Sequence, residues 1–115
     1  MLRTNLKHIL SEEEFKNVIE QNENVMICCG RMGPMCIPVY GIMEEIEGEY
    51  KHVAFRDLEF DAPHSHVITN LPECRNFYGI PFTVYFKNGK VVKATSSIQT
   101  MEQVTDILNK NFGKE

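Results

Sequence analysis

Four cysteines, Cys28, Cys29, Cys36 and Cys74, are the side chains of this 115-residue sequence best suited to covalent chemistry. A thiolate attacks disulfides or binds soft metals, and its acidity and access decide which of these it does. Adjacent Cys28 and Cys29 do not resemble a secreted disulfide framework, so a reducing, cytoplasmic setting fits better. His64 and His66 with Cys74 offer imidazole and thiolate ligands that suit zinc. No Cys-x-x-Cys or His-x-x-x-His pair supports them, so neither a metal nor another cofactor is expected. The structural alternative for each thiol is a buried, space-filling side chain.

Composition narrows the partners. With 12 basic and 16 acidic side chains the formal charge is −4, so no net positive field gathers phosphate backbones or anionic lipid. Nucleic acid is not an expected partner. Met1 to Leu10 holds no continuous apolar run, and the longest such stretch, Val25 to Cys29, is too short to span a bilayer. The length suits one domain over residues 1–115.

The elements that position the thiols follow from capping and periodicity. Ser11 three residues before Glu14, then Phe15, Val18 and Ile19, predicts a helix over Glu12 to Gln21. The unbroken apolar run Val25 to Cys29 predicts a central strand covered on both faces. After the turn Gly30-Arg31-Met32-Gly33, Pro34 suits the first turn of a second helix, whose inner face carries Val39, Ile42, Met43 and Ile46. His52 to Leu58 alternates as a strand. The segment from Glu59 to Gly79 loses periodicity, with a short helix expected near Glu73 to Phe77. Phe82 to Phe86 and Val91-Val92, joined by Asn88-Gly89, form an antiparallel hairpin. Thr100 and Gln103 cap a final amphipathic helix with Met101, Val104, Ile107 and Leu108. Including a short first strand at Leu6 to Leu10, the order is β-α-β-α-β, an excursion, then β-β-α: an α/β fold with a central mixed sheet flanked by helices.

That order, the Gly33-Pro34 turn, and Gly79-Ile80-Pro81 ahead of Phe86-Lys87-Asn88-Gly89-Lys90 together resemble the thioredoxin family over nearly the whole chain. The resemblance implies a thioredoxin-like fold with a cis peptide at Ile80-Pro81, and a groove beside it that pairs with an extended substrate. The family's redox motif is Trp-Cys-Gly-Pro-Cys. Laying Ile42 to Ile46 on the family's second helix without a gap puts Cys36 on the second motif cysteine and Gly33 on the first, giving Met32-Gly33-Pro34-Met35-Cys36. The same register puts Cys29 on a strand-end tryptophan, Ile27 on a buried aspartate and Gly41 on a helix-kinking proline. A register shifted by one residue instead matches Gly33-Pro34 to the motif's own Gly-Pro and leaves Met32 and Met35 in place of both cysteines.

In the family reaction a thiolate at the exposed helix terminus attacks a disulfide, and the second cysteine resolves the mixed disulfide. Glycine at 33 removes that nucleophile. The expectation is therefore an atypical thiol-disulfide oxidoreductase acting through Cys36, alone or paired with Cys29, on a protein or small-molecule disulfide, with a reductase as a further partner. Cys36 is expected to be the most modifiable thiol, because a helix terminus lowers a thiol's pKa. Met32, Gly33, Pro34, Met35, Ile80 and Pro81 are expected to line the substrate groove. The alternative is a non-catalytic module holding an extended client at Pro81; a third reading is a dedicated partner of one enzyme that supplies the missing thiol.

Overall fold

The computed structural model describes residues 2–114; Met1 and Glu115 lie outside the described residues. Five strands form one mixed sheet in the order β1-β3-β2-β4-β5. They are β1 (Lys7–His8), β2 (Asn24–Gly30), β3 (Ala54–Glu59), β4 (Phe82–Lys87) and β5 (Lys90–Ser96). β2 pairs parallel with β3 and antiparallel with β4, so it is central, and all seven of its residues are buried. A strand covered on both faces needs apolar side chains in both phases, which the run Val25 to Cys29 provides.

The four helices are α1 (Glu12–Gln21), α2 (Ile37–Ile46), α3 (His66–Thr69) and α4 (Met101–Phe112). Ser11 Oγ accepts the Glu14 N–H at 3.0 Å. The Glu14 carboxylate accepts from Leu10 N–H at 2.7 Å, one residue before the reciprocal bond a full capping box would use. Thr100 and Gln103 make the complete box.

Period-2 alternation along β2 divides the core. Met26 and Cys28 pack with Cys36, Val39, Tyr40 and Met43 of α2 and its entry turn and with Val104 and Leu108 of α4. Val25, Ile27 and Cys29 pack with Phe15 and Val18 of α1, Ile68 of α3 and Cys74. Asn88 and Gly89 have φ of 53° and 79°, the left-handed values a two-residue hairpin turn requires.

The structure moves three expected features. The first strand is two residues long, and the second regular helix starts at Ile37 with Pro38, not Pro34, in its first turn. Helical hydrogen bonding nonetheless begins at Gly33, whose carbonyl accepts the Ile37 N–H at 3.0 Å, so Pro34 still falls where its missing N–H costs nothing. In the excursion the short helix is His66–Thr69, flanked by 3-10 turns at Pro63–Ser65 and Pro72–Cys74, each opened by its proline.

Gly41 lies exposed within α2, and a Cβ there would meet nothing within 4 Å. Gly41→Ala should therefore stabilise the protein by about 0.5–1 kcal/mol, because glycine loses more conformational freedom in a helix. A rise in urea midpoint at unchanged slope would show it; a fall would mean that α2 needs the glycine.

Candidate functional site

The site lies where β2 ends, α2 begins and the chain enters β4. Cys36 is the N-cap of α2 and is 1% exposed. Its Sγ accepts the Arg31 N–H at 3.4 Å. The Ile80-Pro81 peptide is cis, and Ser97 N–H donates to the carbonyls of Gly79 at 2.9 Å and Pro81 at 3.0 Å, tying this segment to the end of β5. Gly30 brings the parts together: a Cβ on it would stand 2.8 Å from Cys36 Sγ, 2.8 Å from the Tyr40 hydroxyl and 3.1 Å from Pro81 Cβ. A glycine inside a strand marks such a close approach.

Gly30→Ala is expected to cost about 1–3 kcal/mol, the usual consequence of forcing a methyl into a filled core, because two of its contacts would be shorter than a carbon allows. The same substitution should slow every reaction of Cys36 by displacing its sulfur. Thermal unfolding and the Cys36 alkylation rate check the two parts; an unchanged melting temperature would show that the packing can relax.

Of the expected groove residues, Pro34 and Met35 are exposed, Met32 and Gly33 are half-buried, and Ile80 packs against both halves of the core. Pro81 is buried. Ile37 and Tyr78 add exposed apolar surface on the same two segments, Tyr78 at 99% exposure. Met32 Sδ also accepts the Arg3 N–H at 3.4 Å, which joins the amino-terminal segment to the turn.

The structure bears on two expectations, the pairing of Cys36 and its acidity. Cys29 falls in the other half of the core, with Cys74, and is fully buried; its neighbour Cys28 shares the half that holds Cys36. Adjacent strand residues point to opposite faces, so the pair that includes Cys36 within one half of the core is Cys28–Cys36. The expectation of a lowered Cys36 pKa is corrected. Burial raises the Cys36 thiol above its ordinary value, outweighing the Arg31 N–H and guanidinium that pull it down. Gly30, Tyr40 and Pro81 close around the sulfur, so the open groove expected beside it does not reach it.

The other thiols are raised more. Burial pushes Cys28 far up, Cys29 to about 12 and Cys74 to about 11. All four cysteines are free. Cys36 is thus the thiol nearest to ionising.

Arg31 is fixed beside the site. Its guanidinium makes a two-pronged ion pair with Asp61, at 2.7 and 2.8 Å, and lies 5.2 Å from the centre of the Phe60 ring. The expected position of the buried aspartate is held by Ile27. A buried carboxylate stands instead on β3: Asp57, fully enclosed, accepts from Thr4 Oγ1 and pairs with His8 Nδ1 at 2.6 Å. With His64 and Leu2, Asp57 and His8 line a cavity of about 130 Å³ at the β1 edge. His64 binds the Ile9 carbonyl and His66 binds Glu12. Among the described residues no three His, Cys, Asp or Glu side chains are grouped to hold a metal.

Sequence reasoning missed Gly30, Arg31 and Tyr40. A glycine closing an apolar strand, and a tyrosine four residues after Cys36 on one helix face, were the available signals.

The geometry is that of a thioredoxin fold, and solved structures show the same. A Plasmodium falciparum thioredoxin is 24% identical, superposes with a TM-score of 0.77, and the match covers 92% of this chain and 99% of that one. Chlamydomonas reinhardtii thioredoxin f2 is 13% identical at a TM-score of 0.79, over 96% of this chain and 100% of that one. Mitochondrial thioredoxin 3 of Saccharomyces cerevisiae is 22% identical at 0.72, over 90% and 94%. No family model and no curated protein matches the sequence. At these identities the likeness establishes the fold, and the chain has the thioredoxin fold.

Proposed function

We propose that this protein is an atypical thioredoxin-like thiol-disulfide oxidoreductase whose reacting group is Cys36. The observation that carries the reading is the placement of one thiol, the least elevated of four, at the N-cap of α2 against Pro81. In the first step the Cys36 thiolate attacks one sulfur of a disulfide R–S–S–R′. The S–S bond breaks, Cys36–S–S–R forms, and R′S⁻ leaves with the electron pair. An external thiolate, from a small thiol or a reductase partner, then attacks the R sulfur and returns Cys36 as thiolate.

The Cys36 sulfur is enclosed, so small or unfolded disulfides should react before bulky folded ones. Free thiols fit a reducing, cytoplasmic setting. Among the described residues no helix is long and apolar enough to cross a membrane, and the charge of −4 disfavours nucleic acid.

A second reading has its own observation. With Gly33 in the attacking position and Cys36 at 1% exposure, Pro34, Met35, Ile80 and Tyr78 would serve to hold an extended client without chemistry. The steady-state rate of dithiothreitol-driven reduction of a small aromatic disulfide separates the two. Exchange through Cys36 predicts a slow catalysed rate that Cys36→Ser removes; a catalysed rate unaffected by that change would place the chemistry on another thiol, and none above the uncatalysed reaction favours the binding module.

A further inference from the structure

Tyr40 is 2% exposed, and its hydroxyl has no hydrogen-bond partner. A buried, unpaired hydroxyl is unfavourable, and phenylalanine would fill the same space without it. Packing therefore does not account for the oxygen. Its position does: Tyr40 stands four residues after Cys36 on α2, and both polar atoms lie 2.8 Å from where a Gly30 Cβ would be. The missing methyl of Gly30 leaves the room that sulfur and hydroxyl share, with Pro81 closing the third side.

We propose that the Tyr40 hydroxyl is the hydrogen-bond donor to Cys36 when its sulfur carries negative charge. The inference rests on Cys36 being the exchanging thiol. In this arrangement the charged sulfur turns within the shared space toward the O–H, from a position where it accepts the Arg31 N–H at 3.4 Å. When an external thiolate attacks the mixed disulfide, the Cys36–S bond to R breaks and its electron pair goes to Cys36 Sγ. The phenol stabilises that charge by hydrogen bonding and keeps its proton. Burial holds the hydroxyl well above its ordinary ionisation range, so it acts as a donor and not as a base.

Other titratable groups surround the pair. Arg31 favours the Cys36 thiolate, whereas Cys28 and Cys29 of β2 and Asp57 of β3 disfavour ionisation of Tyr40. None of these offers the sulfur a buried side-chain O–H.

The test is the pH profile of Cys36 alkylation by iodoacetamide, read by peptide mass, in the wild type and in Tyr40→Phe. Losing one hydrogen bond to a charged sulfur should raise the midpoint by about one pH unit and slow labelling at neutral pH about tenfold. Thermal stability should hold or rise, because the ring remains and an unpaired hydroxyl is removed. Coincident midpoints would overturn the proposal, as would a Cys36 left unlabelled in both proteins up to pH 10. If the midpoint shifts but wild-type protein forms no mixed disulfide with a small disulfide, the exchange reading fails while the Tyr40 contact stands.

Discussion

Gly33→Cys is expected to raise the rate of dithiol-driven disulfide reduction at least about tenfold from thiol acidity alone, with improved access adding to that. A cysteine at a helix start in this motif ionises near pH 7, whereas burial holds the Cys36 thiol above its ordinary range. At neutral pH the thiolate at position 33 is therefore the more abundant, and its lower intrinsic nucleophilicity offsets only part of that gain. The site accepts the change: a Cβ on Gly33 meets nothing within 4 Å, and its φ lies outside the left-handed range. Cys36 would then become the resolving thiol, one helical turn away. A variant rate equal to wild type would show that the turn does not align position 33 with Cys36.

Asp57→Ala should be the most destabilising substitution, by about 3 kcal/mol, because it removes a fully buried carboxylate and with it the acceptor shared by two half-buried partners. Thr4 and His8 both turn to this carboxylate, and together they fasten the amino-terminal segment and β1 to β3. Burial outweighs these partners and holds the Asp57 carboxyl above its ordinary range. The folded chain therefore binds that proton more tightly than the unfolded chain. The associated stability is full at low pH and declines as pH rises through the raised value. Asp57→Asn, which carries no charge and retains hydrogen-bonding capacity, should lose much less at neutral pH. Urea unfolding at pH 5 and 7 checks both; equal losses for Ala and Asn would show that shape, not the polar contacts, matters.

Elements that follow from local signals were legible in the sequence. α1 has the ends that Ser11 and its apolar spacing predict, and Asn88-Gly89 makes the turn its φ preferences require. β1 was poorly legible because two paired residues carry little pattern, and what secures it is side-chain bonding across 49 and 53 positions. In the excursion, Pro63 and Pro72 set short turns that leave one helical turn between them.

At the site, the alternation of β2 already held the answer for the cysteines. Odd positions Val25, Ile27 and Cys29 face one half of the core, and Met26 with Cys28 faces the other. Cys36 was harder, since a helix terminus and burial act oppositely on a thiol and only packing shows which wins. The convergence of Gly30, Tyr40 and Pro81 joins three segments, and spacing along one of them does not reveal it.

The central claim is that Cys36 carries disulfide exchange, and the location of the mixed disulfide tests it most directly. Native reduced protein is treated with a limiting amount of a small aromatic disulfide at neutral pH, quenched with acid, and digested for peptide mass analysis. The account predicts the adduct on Cys36, with release of one equivalent of the leaving thiolate and neither signal in Cys36→Ser. An adduct on Cys74 with Cys36 untouched, or thiolate release undiminished in Cys36→Ser, would contradict it.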